Sequence, residues 1–292
     1  MAQLSLSFTK MQGAGNDFVV INAMQGLDPF FLQPQQIRRL ADRRFGVGAD
    51  QVLVVEPTSI AEADFNYRIF NADGQEVEQC GNGARCFARY VVDQGLAAGP
   101  TIRVNTRAGI IVPRLQPDGE VEVNMGCPRL DPQALPFLVE GLAESLRGRQ
   151  TCYCLAGPDG RALWVGPVSM GNPHLVQWVT GLADHPVEAE GRFLQASPRL
   201  PQSVNAGFAE RHAADAISLR VYERGAGETL ACGSGACAAV VSGIAQQLLK
   251  ADTPIAVQTR GGMLRLRWSG QDNDPVWMTG PATTVFQGEI SL

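Results

Sequence analysis

The chain has 292 residues, 45% of them hydrophobic, with a formal net charge of −5 and an isoelectric point near 5.3. This length and apolar content suit two domains with buried cores. The sequence has no Lys/Arg tract and no apolar run near the ~20 residues of a membrane span, so it predicts neither nucleic-acid nor membrane binding. No signal-peptide pattern opens the chain, which predicts a cytoplasmic protein.

Strands and glycine-rich loops are predicted in turn along the first half. The predicted strands cover residues 4–10, 19–22, 52–55 and 65–70. Helical spacing predicts a helix over residues 34–45, with Pro34 in its first turn, and a second helix from Gly81 to about Gly95. Two strands follow, joined by a turn at residues 117–119, and residues 131–150 are predicted to be a connector with a short helical piece.

Two short runs resemble each other, Cys80-Gly81-Asn82-Gly83-Ala84 and Cys232-Gly233-Ser234-Gly235-Ala236. Each places a thiol before a glycine loop that opens an Ala/Val-rich predicted helix. The glycines let the backbone approach a ligand, and a helix N-terminus can bind a carboxylate and lower the pKa of a thiol. The two runs therefore predict an acid and a base that face each other across a bound anion.

Other segments recur in the same order at a nearly constant offset. The matched pairs are Asn16/Asn172, Gln51/Asn205, Arg68/Arg220, Cys80/Cys232 and Arg107/Arg260, separated by 152 to 156 residues. We infer an α+β fold of two domains related by a pseudo-twofold axis, each a curved, mostly antiparallel sheet or barrel around a central helix, with the active site in the cleft between them. The predicted domains are residues 1–129, with 284–292 packed on them, and residues 130–283. A less favoured alternative is that these matches reflect only the self-similarity of glycine-rich β proteins and not two equivalent halves.

Several roles are open to the cysteines. Buried cysteine is common, and we predict it for Cys86, Cys127 and Cys237. Cys80 and Cys232 could also bind zinc or form a redox pair, but their spacings do not favour zinc and the chain has no Cys-X-X-Cys motif. We therefore predict no metal site and favour a thiol pair that acts as general acid and base.

This chemistry needs three features. The two groups must lie on opposite faces of a carbon atom, their pKa values must be tunable, and donors must stabilise the charge that develops on the substrate carboxylate. Backbone N–H groups of Gly81, Asn82, Gly233 and Ser234 are predicted to supply those donors. A pyridoxal cofactor is not predicted, because neither Lys10 in a strand nor Lys250 at a helix end suits a Schiff base.

The motifs as a set resemble those of diaminopimelate epimerases over nearly the whole length. They are Gly15-Asn16-Asp17-Phe18, Gly48-Ala49-Asp50-Gln51, residues 68–74, residues 78–86, Met170-Gly171-Asn172-Pro173-His174, residues 222–229 and residues 231–237. The resemblance implies a cofactor-independent epimerase of lysine and cell-wall precursor biosynthesis that interconverts LL- and meso-diaminopimelate with Cys80 and Cys232 as the catalytic thiols.

The resemblance also implies a substrate site and a means of tuning the thiols. The implied substrate-binding residues are Asn16, Gln51, Asn71, Gly81, Asn82, Asn172, Asn205, Glu223, Arg224, Gly233 and Ser234. His174 and Glu223 are implied to adjust the thiol pKa values. Arg224 has the planar fork that suits a carboxylate, and Glu223 the charge that suits an ammonium group. The residue types alone leave open a surface ion pair and a core histidine.

The chain departs from the family pattern at a few positions. Gln12 stands where many relatives carry His, and Val204 and Ala206 flank Asn205 where a small residue and Ile are usual. Trp277 stands where some relatives have Tyr at a dimer contact, so a homodimer is expected. Two other functions stay open: a proline-racemase-like isomerase, which would not need Glu223 and Arg224, and an amino-acid-binding protein without activity.

Overall fold

The structure is a computed structural model that describes residues 5–78 and 80–292. Leu4 of the first predicted strand and Gln79 of the motif before Cys80 lie outside the described residues. By the density of their contacts, the residues form two compact units: the chain up to Val123 with Gly280–Leu292, and Asn124–Thr279. The domains expected from the sequence, residues 1–129 with 284–292 and residues 130–283, stay a prediction. Among the described residues, no helix is long and apolar enough to cross a membrane.

The strands that begin in the first unit are β1 Ser5–Gly13, β2 Asn16–Asn22, β3 Gln51–Glu56, β4 Phe65–Asn71, β5 Glu76–Val77, β6 Val104–Thr106, β7 Gly109–Ile111, β8 Arg114–Leu115, β9 Val121–Asn124 and β20 Thr283–Ser291. Eight of them form one sheet with the order β20–β1–β2–β3–β4–β6–β7 and with β5 paired to β4. Its helices are the 3-10 helix Pro29–Leu32, α1 Pro34–Ala41 and α2 Gly81–Asp93.

The strands that begin in the second unit are β10 Ala143–Arg147, β11 Gln150–Ala156, β12 Ala162–Ser169, β13 Pro173–Trp178, β14 Asn205–Ala213, β15 Ala216–Glu223, β16 Gly227–Glu228, β17 Ile255–Thr259, β18 Gly262–Arg267 and β19 Trp277–Gly280. They lie in one sheet in the order β10–β11–β12–β13–β14–β15–β17–β18–β19, with β16 paired to β15. Its helices are the 3-10 helices Pro132–Ala134 and Leu182–Asp184, and α3 Val187–Gln195 and α4 Gly233–Ala245.

The strands of the two units are connected in the same way. Strands β2 and β3 are parallel, β3 and β4 antiparallel, and β4 and β6 parallel; β13, β14, β15 and β17 repeat this pattern in order. In each unit a short strand, β5 or β16, folds back just before the cysteine helix, and both cysteine helices have 13 residues. The predicted α+β class with two similar halves is confirmed, in the form of mixed sheets with few helices.

Apolar runs explain why the central strands are buried on both faces. In the first unit, Val52 and Val54 of β3 share a core with Ile37 and Leu40 of α1 on one face of the sheet. On the other face lies α2, where a Cβ added at Gly83 would come within 3.4 Å of Leu53. A strand covered by a helix on each side needs a continuous rather than an alternating apolar run.

Three local expectations were wrong. The first helix ends at Ala41 rather than at residue 45, because the Asp42 carboxylate accepts hydrogen bonds from Arg44 N and Phe45 N and turns the chain. The segment 131–150 has the expected short helical piece, the 3-10 helix Pro132–Ala134, but it also contains strand β10, whose mostly exposed residues give little hydrophobic signal. Cys127 is exposed, with its Sγ 3.2 Å from Asn273 O, whereas the prediction for Cys86 and Cys237 is confirmed because both are fully buried.

One ion pair recurs in both units and braces the hairpin before each cysteine helix. Arg68 donates to both carboxylate oxygens of Glu76, at 3.0 and 2.8 Å, and Arg220 donates to both of Glu228, at 2.7 and 3.0 Å. Each pair joins a long strand to the short strand that folds back on it. Bidentate, charge-assisted hydrogen bonds are stronger than neutral ones, so these pairs fix the hairpin geometry.

We expect Glu228→Gln to lower the urea midpoint of unfolding by an amount equivalent to about 1.5–3 kcal/mol, because a largely buried guanidinium loses its carboxylate. The matched control is Glu188→Gln, which breaks an exposed pair with Arg192 and should cost less than about 0.5 kcal/mol.

The difference should also depend on pH. The hydrogen bond from Arg220 lowers the pKa of Glu228, so the stabilisation is complete above the pKa of the unfolded carboxyl group and is lost as pH falls through the lowered pKa. Wild type and Glu228→Gln should therefore converge below about pH 4. Equal losses for the two substitutions at neutral pH would contradict the role of this ion pair.

Candidate active site

Helix α2 begins at a thiol. Cys80 is its N-cap residue, with extended backbone angles (φ −143°, ψ 122°), and the first helical bond runs from Ala84 N to Cys80 O at 2.8 Å. The N–H groups of the first turn have no acceptor within a helix, so those of Gly81 and Asn82 can serve an external anion. The structure thus places both predicted amide donors directly after the predicted catalytic thiol.

Two asparagine side chains meet at Cys80. The Asn16 Oδ1 atom lies 3.7 Å from Cys80 Sγ and accepts a hydrogen bond of 3.3 Å from Asn82 Nδ2. Beneath them lies the buried Tyr67, whose pKa is raised by burial first and then by the charge of the Cys80 thiolate, so that it stays a neutral phenol. Glycine is needed at position 83, since a Cβ there would lie 2.6 Å from the Tyr67 hydroxyl.

Gln51 and Asn71, both predicted to bind substrate, lie directly opposite each other on β3 and β4. Gln51 Nε2 donates to Asn71 Oδ1 at 2.9 Å. This contact fixes the two amides relative to each other at the end of the strand pair. Gln12, which departs from the family pattern, accepts a hydrogen bond of 3.0 Å from Gly15 N and so closes the turn that leads to Asn16.

Helix α4 begins in the same manner at Cys232. This residue is the N-cap (φ −118°, ψ 109°), and its Sγ accepts a hydrogen bond of 3.4 Å from Gly235 N. The Ser234 hydroxyl lies 3.6 Å from the same sulfur. The amides of Gly233 and Ser234 precede the first helical bond, from Ala236 N to Cys232 O, and so match those of Gly81 and Asn82.

Opposing effects act on the Cys232 thiol. Burial and then the charge and hydrogen bond of Glu223 raise its pKa well above the ordinary value, while Ser234 and the Gly235 amide lower it less. The raising effects prevail, so Cys232 is a neutral thiol at neutral pH. The hydroxyl of Thr229 donates a short hydrogen bond to Glu223 Oε1 and holds the carboxylate in place.

A chain of three polar side chains leads from His174 to the neighbourhood of Cys232. His174 Nε2 lies 3.0 Å from Asn172 Oδ1, and Asn172 Nδ2 donates to Ser234 Oγ at 3.2 Å. Because the Asn172 oxygen only accepts, Nε2 must carry the hydrogen, and Nδ1 is buried without a partner among the described residues. Burial and then the charge of Arg224 lower the pKa of His174 to about 3, so the imidazole is neutral at neutral pH.

Asn205 binds the backbone on both sides of the site. Its Nδ2 donates to Pro173 O at 3.2 Å, and its Oδ1 accepts from Arg224 N at 2.9 Å. Strands β13 and β14 are parallel here, with His174 opposite Asn205, which explains why these distant residues meet. The flanking Val204 and Ala206 are fully buried in the core.

Two residues that contact the site were not predicted. Thr229 holds Glu223, and Asp50 accepts a hydrogen bond of 2.8 Å from Asn16 Nδ2. Both lie inside motifs that carry the family resemblance, but their roles depend on the pairing of separate strands. The position of Thr229 and Asp50 inside these motifs was the sequence signal that could have pointed to them.

The fold is shared with solved structures of low sequence identity. A phenazine biosynthesis protein of the PhzF family from Bacillus anthracis has a TM-score of 0.70 at 14% identity, covering 99% of this chain and 100% of that one. A probable proline racemase from Agrobacterium radiobacter K84 has a TM-score of 0.68 at 14% identity, covering 98% and 93%. These likenesses place this chain, with its two similarly connected units, in a fold class that both solved structures share.

Sequence comparison narrows the class to one family. A profile described as diaminopimelate epimerase matches residues 8–130 and 167–285. A diaminopimelate epimerase from Laribacter hongkongensis (strain HLHK9) is 55% identical over 291 residues, covering 99% of this chain and 100% of that protein. The chain belongs to the diaminopimelate epimerase family, which confirms the resemblance seen in its motifs.

We expect Glu223→Gln to make Cys232 more reactive. The substitution keeps the shape of the side chain and removes the charge that raises the thiol pKa, so more thiolate is present at a given pH. Alkylation of Cys232 by iodoacetamide near pH 8, followed by peptide mass spectrometry, should accelerate by roughly 3–10-fold, while burial keeps the pKa above its ordinary value.

The control is Glu210→Gln in the same unit, whose carboxylate accepts from Gly181 N and Leu182 N. Its alkylation rate at Cys232 should match that of wild type. An unchanged rate in Glu223→Gln would show that this carboxylate does not govern the thiol.

Proposed function

We propose that this chain is a diaminopimelate epimerase, which interconverts LL- and meso-diaminopimelate by moving the α-proton between two thiols without a cofactor. One observation carries the proposal: a chain of this family places a cysteine as the N-cap of the same 13-residue helix in each of its two units. The catalytic thiols in this proposal are Cys80 and Cys232.

The proton balance of the reaction is simple. One cysteine, as thiolate, removes the proton from the α-carbon and becomes a thiol, and the other, as thiol, donates its proton to the opposite face and becomes a thiolate. The stereocentre is inverted, no electrons are gained or lost, and the reverse reaction exchanges the two roles. Proton transfer by positioned groups of this kind typically contributes 10²–10⁴-fold to rate.

Charge develops on the substrate carboxylate as the proton leaves. The amides of Gly81, Asn82, Gly233 and Ser234 would bind this carboxylate, because two helix N-termini favour negative charge. These donors are held by the helices themselves, so they need little rearrangement during the reaction.

Glu223 would couple substrate binding to the ionisation of Cys232. Its charge raises the thiol pKa in the free protein, and a substrate ammonium group beside it would neutralise that charge and favour the thiolate. Arg224 would bind a substrate carboxylate through its guanidinium fork. The remaining amides, those of Asn16, Gln51, Asn71, Asn172 and Asn205, would bind the polar groups of the substrate, and His174 would act through Asn172.

Cellular location follows from the proposed reaction. An enzyme that makes precursors for lysine and the cell wall would work in the cytoplasm.

A proline-racemase-like activity is the second candidate, because a probable proline racemase shares the fold. Proline has no second amino-acid end, so in that reaction Glu223 and Arg224 would have no distal ammonium and carboxylate groups to bind.

We expect the protein to produce meso-diaminopimelate from the LL isomer in deuterated water and to place deuterium at the α-carbon. Cys80→Ala and Cys232→Ala should each lower kcat by roughly 10²–10⁴-fold, because each removes one of the two proton carriers. Chiral chromatography with mass spectrometry measures both products. Cys127→Ala, which removes an exposed thiol, is the control and should leave kcat unchanged.

Three results would contradict the proposal. They are full activity in both cysteine variants, inversion of proline in place of diaminopimelate, and binding of diaminopimelate without exchange of its α-proton. The last would indicate a binding protein.

A homodimer is proposed with Trp277 at the contact. Trp277 begins β19 and is only partly buried within its own chain, which leaves part of its ring for a partner. We expect wild type to sediment as a dimer at micromolar concentration and Trp277→Ala to dissociate. Trp164→Ala, at another partly buried strand tryptophan of the same unit, is the control and should remain dimeric. A monomeric wild type would refute the proposal.

A further inference from the structure

The Asn16 amide has two possible orientations beside Cys80. In the observed one, Oδ1 faces the sulfur at 3.7 Å and Nδ2 points away from it. A carbonyl oxygen only accepts hydrogen bonds, so this orientation favours the S–H form of Cys80, whereas a rotated amide would donate to the thiolate. The orientation of one amide therefore bears directly on the proton that Cys80 carries.

Asn82 by itself does not select between the two orientations. Its Nδ2 donates to Asn16 Oδ1 at 3.3 Å, but its own Oδ1 is buried without a partner among the described residues. Both amides could therefore turn over together and keep one hydrogen bond between them. Another group must break this symmetry.

We propose that Asp50 is a positioning residue that fixes the Asn16 amide with its carbonyl oxygen toward Cys80. The Asp50 carboxylate accepts from Asn16 Nδ2 at 2.8 Å, and an ionised carboxylate has no hydrogen to offer a rotated Oδ1. The role rests on the proposed function of Cys80 as a catalytic thiol.

Asp50 is itself held from two sides. Its Oδ2 also accepts from Asp17 N at 3.1 Å, and its Oδ1 accepts from Arg43 Nη2 at 2.8 Å. Arg43 also donates to both oxygens of Asp17, and Lys10 donates to Asp17 at 2.6 Å. The side chains of Lys10, Asp17, Arg43 and Asp50 thus form a quartet of two cations and two carboxylates, which we call the neutral quartet. It holds the Asp50 carboxylate in place, and its charges sum to zero.

Two titratable groups, Tyr67 and Cys86, lie near Cys80 in its own unit, and the permanently charged Arg85 lies near Cys86. Tyr67 is buried and neutral, and burial raises the pKa of Cys86 to about 12. Neither group changes its charge near neutral pH. We expect the effect of Asp50 on Cys80 to pass through Asn16, because Asn16 hydrogen-bonds Asp50 and its Oδ1 contacts the sulfur.

The test compares alanine and asparagine at position 50. Asp50→Ala removes the acceptor and frees the Asn16 amide, whereas Asp50→Asn removes the charge but can still place an oxygen where Oδ2 lies. Asp64→Ala is the matched control, because Asp64 likewise accepts from a backbone amide and a guanidinium, both of Arg103. Iodoacetamide alkylation of Cys80 is followed as a function of pH by peptide mass spectrometry.

In Asp50→Ala we expect the pH curve of Cys80 alkylation to move to lower pH, with a rate at pH 7 at least about threefold above wild type. Asp50→Asn and Asp64→Ala should stay within about twofold of wild type. The proposal is overturned if Asp50→Ala behaves as wild type. It is also overturned if Asp50→Asn changes as much as Asp50→Ala, since the effect would then be one of charge.

A second measurement does not depend on the folding of a variant. In wild type labelled with ¹⁵N-asparagine, the Asn16 side-chain amide, assigned by its loss in Asn16→Ala, should exchange slowly with solvent and not rotate freely. An Asn16 amide group that rotates freely about its Cβ–Cγ bond would overturn the proposal. Neither measurement requires turnover, so a failure of the epimerase assay in the wild type would be distinguishable from a failure of the role of Asp50.

Discussion

Each unit places a cysteine at the N-cap of its central helix, and the proposed chemistry depends on this placement. Ser, Thr, Asp and Asn usually occupy this position, because their oxygen atoms accept from the first amides of the helix. Sulfur is a weaker acceptor than oxygen. Cys232 Sγ accepts from Gly235 N at 3.4 Å, and the Cys80 side chain makes no cap hydrogen bond to its helix. The cap therefore contributes less to helix stability than an oxygen would. The bidentate Arg–Glu pair of each preceding hairpin supplies order that the cap lacks.

The two thiols have the same backbone setting but different neighbours. Cys80 is partly exposed and lies beside the neutral amide of Asn16, whereas Cys232 is buried and lies beside the carboxylate of Glu223. The effect of a carboxylate on a thiol pKa changes when a charged ligand binds beside the carboxylate. The effect of an amide depends on which of its atoms faces the sulfur. In the proposed reaction, whose two proton transfers occur on different faces, the protonation of the two thiols would thus be governed by different neighbours.

Sequence reasoning predicted what depends on local pattern and repetition. The nearly constant offset between the halves located both cysteine helices and their amides, because a duplicated unit keeps its spacing. It did not predict strand β10, since an edge strand with few apolar residues has no clear period. Nor did it predict that Asp50 contacts Asn16. That contact depends on the parallel register that sets Phe18 opposite Gln51, and spacing along the chain does not reveal which strands pair.

The neutral quartet explains how a carboxylate can orient an amide beside a thiol without disturbing the thiol. A lone negative charge near Cys80 would favour the protonated sulfur at every orientation of Asn16. Burial alone would raise the pKa of Asp17, but hydrogen bonds from Arg43 and Lys10 lower it below its ordinary value, so Asp17 stays ionised. Two cations then balance two carboxylates, so the quartet has no net charge. Lys10 is one of two lysines in the chain, and its place in this quartet gives it a structural role rather than the chemical one that a Schiff base would require.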